Sequence, residues 1–275
     1  LYNKIAKKPN TIHDLSAVVT GLLLAMNLPA LNMGAHPIAV FAMPIIGSLF
    51  SIVIAKMLFG GLGQNFINPA LAGRAFLVAS YPTLMTGSAF VPTNFMKGVD
   101  AATYATPLAQ IKEAGALNTS FVDLLVGNCG GTIGETCAIA LILGGVYLIV
   151  KKVISWRTPV VYIATVLVLT YIFKLSGIEA ASARQPIQEL FAGGLMLGAF
   201  FMATDYASTP VTPKGKIIMG LGCGIITVLI RVFGGYPEGV SYSILLMNLA
   251  APLIDRYTAP KKFGYVKPVK VKEVK

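Results

Sequence analysis

The chain has 275 residues, of which 55% are hydrophobic and only 12% are charged. Soluble domains carry roughly 25% charged residues, so this composition excludes a soluble globular protein and predicts an integral membrane protein. The net charge of +11 is also found in nucleic-acid binders, but the basic residues lie between the apolar blocks. This distribution favours a lipid bilayer as the partner and no nucleic acid.

Uncharged apolar runs and their flanks predict eight membrane-spanning segments along the chain. A helix needs about 20 mostly apolar residues to cross a bilayer, and most of the runs approach that length. In chain order, the predicted segments are residues 15–31, 37–59, 66–80, 133–150, 158–175, 189–204, 215–233 and 240–255. The predicted fold class is therefore an all-α polytopic membrane protein.

One long connection, residues 81–132, separates the third segment from the fourth. It combines prolines and small polar residues with hydrophobic residues such as Phe90 and Leu124. A connection of this length is usually functional or disordered. Its hydrophobic residues predict that it packs on the membrane face.

The distribution of Lys and Arg predicts the orientation, because basic residues in short loops stay on the cytoplasmic side. With a cytoplasmic N-terminus, most of the 22 basic residues fall on the inside, including those of the tail over residues 257–275. Residues 81–132 are then extracytoplasmic.

Two parts of the chain, residues 21–61 and 198–235, resemble one another. Both begin with a glycine and continue through a methionine, a proline-containing loop and a basic residue to Phe-Gly-Gly. Their predicted orientations are opposite, so the repeat is inverted, as in many transport proteins. Because two more helices precede only the second copy, we expect two five-helix halves, ten helices in the full protein, with two N-terminal helices missing here. The predicted parts are residues 1–80 (incomplete first repeat), 81–132 (outer loop), 133–256 (second five-helix repeat) and 257–275 (basic cytoplasmic tail).

Two features imitate cofactor sites without the spacing that such sites need. Gly60-Gly61-Leu62-Gly63 lacks the G-x-x-x-x-G-K-[ST] pattern of a phosphate-binding loop, so it predicts a helix break. Cys129, Cys137 and Cys223 form no C-x-x-C pair and are expected to be small buried hydrophobic residues. The sequence identifies no metal site and no catalytic residue.

Three ionisable residues lie in or beside the predicted segments, where a charge is costly and tends to mark a pathway or a paired site. Arg74 lies on the short third segment, and an interfacial position or a pair with a membrane carboxylate would explain it. Glu135 follows several glycines and is either part of an ion path or an acid at a helix start. Asp205 lies among hydroxyl side chains that suit Na⁺ or proton transfer, and capping of a helix is the alternative.

Thr106 stands in the outer loop between Ala105 and Pro107, whose ring restricts the backbone. Its hydroxyl is therefore displayed on a turn, and Thr103 and Asp100 precede it at intervals of three residues. A hydroxyl displayed in this way can be covalently modified. From residue chemistry alone, a capping Asp with turn-forming Thr residues is the simpler interpretation.

The stretch from Asp100 to Thr106 reads D-x-x-T-x-A-T. It resembles the recognition motif of the flavin transferase that attaches FMN to threonine through a phosphoester, as in the membrane subunits of Rnf and of the Na⁺-translocating NADH:quinone reductase. From Asp14 to about Asp255, the sequence resembles the D subunit of Rnf. The further motifs that carry this resemblance are Phe59-Gly60-Gly61-Leu62-Gly63-Gln64-Asn65, Asn68-Pro69-Ala70-Leu71-Ala72-Gly73-Arg74, Gly134-Glu135-Thr136, Thr204-Asp205 and Ser208-Thr209-Pro210.

The resemblance implies roles for individual residues. Thr106 would carry the FMN, and the transferase would read Asp100 and Thr103. The commoner motif has Ser-Gly before Ala-Thr, so Tyr104 adds bulk at the glycine position. Either the turn has φ below zero there, or the ring stacks on another group, in one arrangement on the isoalloxazine. Arg74 would pair with the flavin phosphate. The sequence leaves open a second, non-covalent flavin such as riboflavin.

The resemblance also implies a function. The chain would be a redox subunit of a translocase in the bacterial cytoplasmic (inner) membrane, with FMN on the outer face. It would help to couple electron transfer between ferredoxin and NAD⁺ to translocation of Na⁺ or H⁺. Its partners would be other membrane and peripheral subunits, including a second flavoprotein and iron–sulfur subunits, with ferredoxin and NAD as indirect partners. The alternatives are the B subunit of the quinone reductase and a urea-channel-like transporter without a redox cofactor.

Overall fold

The computed structural model describes residues 3, 7, 12–29, 37–85, 105–115, 119–178 and 184–260. Within these ranges the regular secondary structure is helical, and the β-type pairing is limited to an isolated bridge between Pro29 and Thr132. The prediction of an all-α protein is confirmed.

A helix occupies each of the eight predicted segments, and further short helices lie between them. In the described part of the chain we number the helices in order. They are α1 (Ser16–Met26), α2 (Pro37–Leu49, continued as a π-helix over Phe50–Met57), α3 (Pro69–Ser80), α4 (Pro82–Met85), α5 (Pro107–Ala114), α6 (Phe121–Val126), α7 (Ala138–Val150), α8 (Arg157–Leu175), α9 (Pro186–Phe191), α10 (Leu195–Leu197, continued as a π-helix over Gly198–Met202), α11 (Pro213–Phe233) and α12 (Val240–Thr258).

Among the described residues, α2, α8 and α11 are long and apolar enough to cross a membrane, with 21, 19 and 21 residues. Helices α1, α3 and α7 are apolar but shorter. Large apolar side chains such as Ile38, Leu143 and Val150 are exposed on α2 and α7, whereas charged residues such as Arg231 are buried. Apolar exposure combined with polar burial is the pattern expected of helices in lipid.

The fourth predicted segment begins later than the sequence indicated, at Ala138 instead of residue 133. The preceding loop, residues 127–137, packs against the end of α1, where the Gly134 N–H donates to the Met26 carbonyl at 2.7 Å. A Cβ on Gly134 would lie 2.9 Å from that oxygen, so the close approach requires glycine. Glu135 therefore lies in a loop outside α7. The sixth predicted segment is also interrupted, between α9 and α10.

Helices α2 and α11 occupy corresponding places in the predicted repeat and share three features. Each begins at a proline, contains 21 residues and carries a buried basic residue in its last turn, Lys56 in α2 and Arg231 in α11. Each is followed by a helix that packs against it, α3 or α12. The inverted orientation, the ten-helix total and the four-part division stay predictions.

The helix break predicted after α2 is confirmed. Gly60, Gly61 and Gly63 have φ angles of +119°, +95° and +78°, which glycine adopts without a steric penalty. The chain then reaches Asn68, whose side-chain oxygen accepts from two N–H groups in the first turn of α3. Its amide donates to the Met202 carbonyl at 3.2 Å. These contacts hold the start of α3 against the second half of the chain.

The described part of the long connection is partly helical. Leu108 in α5 and Leu124 in α6 are buried and pack with Ala192, directly after α9. The connection therefore packs on the second half of the protein. Its position relative to a membrane surface stays a prediction, and Phe90 lies outside the described residues.

The largest buried apolar cluster draws mainly on α8, α10, α11 and α12. Its centre contains the Tyr162 side chain, which is fully buried. The Tyr162 hydroxyl lies 2.6 Å from Thr227 Oγ1 and 2.9 Å from Ser243 Oγ. This polar contact joins α8, α11 and α12 inside the apolar core.

Candidate functional site

Thr106 is the residue that caps the N-terminus of α5. Its backbone is extended, and its Oγ1 accepts the Ala109 N–H at 3.2 Å. Pro107 occupies the first helical position, where its missing N–H costs nothing. The half-buried Thr106 hydroxyl therefore lies at the positive end of a helix. Asp100, Thr103 and Tyr104 lie outside the described residues.

Thr106 lines a cavity between the two halves of the chain. The cavity encloses about 810 Å³ of atom-free space, its open mouth included. Its walls come from α3, α4, the start of α5, the loop before α7, the region after α9 and the start of α12. Of the three ionisable residues singled out by the sequence, Arg74 and Glu135 line this cavity together with Thr106, and Asp205 does not.

The floor of the cavity is a buried ion-pair cluster around Arg74. The Arg74 guanidinium lies 3.3 Å from Glu135 Oε1 and forms a second ion pair with Glu238. It also donates to Asn27 Oδ1 at 3.2 Å and to Ser241 Oγ at 2.9 Å. The pair with a membrane carboxylate, one of the alternatives from the sequence, is therefore present. A contact with a flavin phosphate stays a prediction.

Sequence reasoning missed Glu238. It lies in the turn between α11 and α12, and its Oε1 accepts the Gly194 N–H at 2.7 Å. A Cβ on Gly194 would lie 2.4 Å from Glu238 Oε1 and 2.6 Å from Glu135 Oε1, so the loop between α9 and α10 touches both carboxyl groups. The signal in the sequence was a single acidic residue in an otherwise uncharged turn.

The two carboxyl groups differ in their electrostatic surroundings. Burial and the neighbouring Glu238 raise the pKa of Glu135 to about 8, and Arg74 only partly opposes them. Burial also acts against ionisation of Glu238, but Arg74 and the Gly194 N–H outweigh it and lower the pKa of Glu238. Glu135 therefore holds its proton more tightly than Glu238 does.

An aromatic and apolar wall faces the polar floor. The rings of Tyr236 and Tyr242 stack with their centroids 5.4 Å apart and an angle of 29° between their planes. Leu108, Phe191 and Val78 contribute to the apolar lining. A cavity with one aromatic wall and a few converging polar groups suits a planar ligand that has both apolar and polar edges.

A second buried cluster, which was not predicted from the sequence, lies behind the loop between α9 and α10. Arg184 forms an ion pair with Glu189, and Arg231 donates to the carbonyl groups of Glu189 and Ala192 at 2.9 and 3.2 Å. The side chains of Arg184, Glu189 and Arg231 are all buried. These contacts fix the backbone that leads to Gly194 and so position the floor of the cavity.

Asp205 lies in the turn between α10 and α11, at the opposite end of α11 from Glu238. Its Oδ2 accepts from Ser208 Oγ at 2.7 Å and from Asn65 Nδ2 at 3.3 Å. A helix of 21 residues is about 30 Å long, so Asp205 and the cavity lie at opposite ends of the protein. A part in ion transfer stays a prediction.

Long apolar helices with ion pairs buried between them are the features of a polytopic membrane protein. The chain belongs to the NQR2, RnfD, RnfE family, whose model matches residues 1–264. The membership confirms the resemblance on which the roles of Thr106 and its neighbours depend.

Within this family, the chain is similar to D subunits of ion-translocating oxidoreductase complexes. The chain is 52% identical to the D subunit of the Na⁺-translocating ferredoxin:NAD⁺ oxidoreductase complex of Acetobacterium woodii, over 96% of this chain and 77% of the relative. It is 48% identical to the D subunit of the proton-translocating ferredoxin:NAD⁺ oxidoreductase complex of Clostridium ljungdahlii, over 95% and 78%. It is 37% identical to the D subunit of the ion-translocating oxidoreductase complex of Pseudomonas paraeruginosa, over 93% and 76%. These names favour the Rnf resemblance over the alternative of a quinone-reductase B subunit.

Proposed function

We propose that the chain is the D-type membrane subunit of an Rnf complex and that it carries FMN through a phosphoester on Thr106. In this complex, electron transfer between ferredoxin and NAD⁺ is coupled to translocation of Na⁺ or H⁺. The observation that carries the proposal is the position of Thr106, whose hydroxyl lies at a helix N-terminus and lines a cavity with a polar floor and an aromatic wall.

The residues of the cavity fit a covalently held flavin. A phosphate on Thr106 would lie at the N-terminus of α5, where the helix dipole favours an anion and the Ala109 N–H already points at Thr106 Oγ1. Tyr236 and Tyr242 would stack on the ring system, whose polar edge would face Arg74 and Glu135. FMN, when bound, accepts and donates electrons, which none of these side chains does.

The residues of the chain then have separate tasks. Thr106 fixes the position of the flavin, and the tyrosine wall orients its ring. Arg74 would face the ring together with Glu135 and Glu238, so the net charge of these three side chains would set the affinity of the bound group for an electron. Asp100, Thr103 and Tyr104 keep the roles in transferase recognition and ring stacking that the family motif implies.

The proposed location is the bacterial cytoplasmic membrane, with the cavity on the outer face and the C-terminal tail in the cytoplasm. The basic loops support this orientation. The cavity and Asp205, which lie at opposite ends of α11, would then be on opposite faces of the membrane. Asp205, with Asn65 and Ser208, is the proposed cytoplasmic entry to an ion path. Electrons must reach and leave the flavin, so we expect other flavoprotein and iron–sulfur subunits as partners.

Thr106→Ala tests the flavin attachment. Wild-type protein from cells that contain the flavin transferase is expected to give a fluorescent band on a denaturing gel, and T106A is expected to give none. Thr132→Ala is the matched control, because Thr132 lines the same cavity but lies outside the family motif. Its band should persist. Mass spectrometry of the peptide between Lys97 and Lys112 should locate the adduct. A bare Thr106 in wild-type protein would refute the proposal and leave a transporter without a redox cofactor as the better account.

A further inference from the structure

The floor of the cavity contains two acidic side chains, Glu135 and Glu238, and one basic side chain, Arg74. The side chains of Arg74, Glu135 and Glu238 are 9%, 6% and 16% exposed, and one guanidinium serves both carboxyl groups. If both were ionised, these three side chains would carry a net charge of −1 in a buried position, and the neighbouring Arg231 acts on Glu238 but not on Glu135. Isolated buried charges are costly and are normally neutralised by protonation or by a bound ion.

Geometry distinguishes the two carboxyl groups. Glu238 is fully engaged, because one oxygen pairs with Arg74 and the other accepts the Gly194 N–H. Glu135 Oε1 is buried and lies 3.3 Å from the Arg74 guanidinium, but no donor reaches it with hydrogen-bond geometry. Glu135 Oε1 is therefore the oxygen of this cluster at which a bound proton would supply a hydrogen bond that no donor supplies, with the Thr132 hydroxyl beside the carboxyl group.

We infer that Glu135 is a proton-binding site, a carboxylic acid that keeps its proton at neutral pH and donates a hydrogen bond within the cluster. With this proton, the charges of Arg74 and Glu238 cancel and the floor is neutral. When the proton leaves, the floor acquires one negative charge. The link to redox chemistry rests on the proposed function, because that charge would then face the flavin on Thr106.

The groups that face Glu135 from each neighbouring element are consistent with this inference. Arg74 on α3 favours ionisation, and Glu238 in the turn before α12 opposes it. Cys129, in the same loop as Glu135, has a pKa raised by burial to about 11, so its thiol is neutral. Tyr242 on α12 acts on Arg74, and Arg231 on α11 acts on Glu238. Arg74 and Glu238 are the two partners of Glu135.

Infrared spectroscopy of the purified complex tests the site directly. The difference between spectra recorded at pH 6 and pH 10 should contain the carbonyl stretch of a protonated carboxyl group that is lost at high pH. Glu135→Gln should abolish this band, whereas Asp14→Asn, at an exposed carboxyl group, should leave it unchanged. A band that persists in E135Q would overturn the inference.

Glu238→Gln provides an independent variant. Without the negative charge at position 238, Arg74 acts on Glu135 alone, and the band should disappear at a lower pH than in the wild type. A band at the wild-type pH in E238Q would contradict the proposed pairing. Adding NaCl at constant pH should leave the wild-type band in place. Its loss would identify a sodium site and overturn the proton assignment.

The reduction potential of the flavin tests the link between Glu135 and the redox chemistry. The reduction potential of the wild-type flavin should fall as Glu135 ionises, because an added negative charge disfavours an incoming electron. In E135Q the potential should not show this fall, and a fall of wild-type size would refute the link. The infrared band should also be present in T106A. A missing fluorescent flavin band in the wild type would refute the flavin proposal, whereas a missing infrared band would refute the proton site. The two failures can therefore be told apart.

Discussion

Gly134→Ala tests how the loop that carries Glu135 is held in place. A Cβ at position 134 would lie 2.6 Å from Met26 Cβ and 2.9 Å from the Met26 carbonyl oxygen. The carbonyl belongs to the end of α1 and cannot rotate away as a flexible side chain can. Overpacking of this kind typically costs about 1–3 kcal/mol. Since 1 kcal/mol shifts the melting temperature of a chain of this size by about 2–4 °C, Tm should fall by roughly 2–12 °C.

A thermal melt of the purified protein in detergent measures this effect. Gly21→Ala is the matched control, because no heavy atom lies within 4 Å of a Cβ on Gly21 in α1. Alanine is also a better helix former than glycine by about 1 kcal/mol, so G21A should melt at or above the wild-type temperature. If G134A melted with the wild type, the loop could not be held so closely to the end of α1.

Three further changes have defined outcomes. Replacing Tyr236 and Tyr242 by leucine should raise the flavin fluorescence of the native complex, because stacked tyrosine rings quench flavins. Fluorimetry measures this increase. The control is Tyr257→Leu, at an exposed tyrosine, which should show no increase. Glu135 holds its proton more tightly in the folded than in the unfolded protein, so stability should fall as pH rises from about 5 to about 8. The dependence of Tm on pH should be weaker in Glu135→Gln, and an unchanged slope would contradict the raised pKa. Tyr162→Phe removes a buried hydroxyl that joins three helices and should cost about 1–3 kcal/mol, seen as a lower Tm, whereas Tyr257→Phe should cost nothing measurable.

Hydrophobic runs and the cost of buried charge were sufficient to predict part of this molecule. Helices formed in all eight predicted segments because apolar runs leave few alternatives in a membrane. Arg74 and Glu135 were singled out because a charge near a span is expensive, and both line the cavity. Where the helices begin could not be read from composition, since the late start of α7 depends on a contact between Gly134 and the distant Met26.

The partners of these charges could not be predicted for a similar reason. Glu238 lies 164 residues from Arg74 in the sequence, and no local pattern links them. Arg231 and Glu189 were passed over because each stands at the edge of an apolar run, where a charge normally faces water. Helix packing instead buries both. Asp100, Thr103 and Tyr104 lie outside the described residues, so their roles rest on the motif alone.

The buried position of Arg74 has a consequence for biogenesis. During synthesis, α3 leaves the ribosome long before the chain containing Glu238 has been made. A solitary arginine at the centre of a bilayer costs about 2.5–3.5 kcal/mol on insertion scales, and α3, with 12 residues, is only about 18 Å long. Stable insertion of α3 is therefore expected to depend on the later parts of the chain that supply first Glu135 and then Glu238. Nascent chains that stop before residue 135 should leave this helix accessible to labelling reagents in water, and those that stop between residues 135 and 238 should protect it only partly.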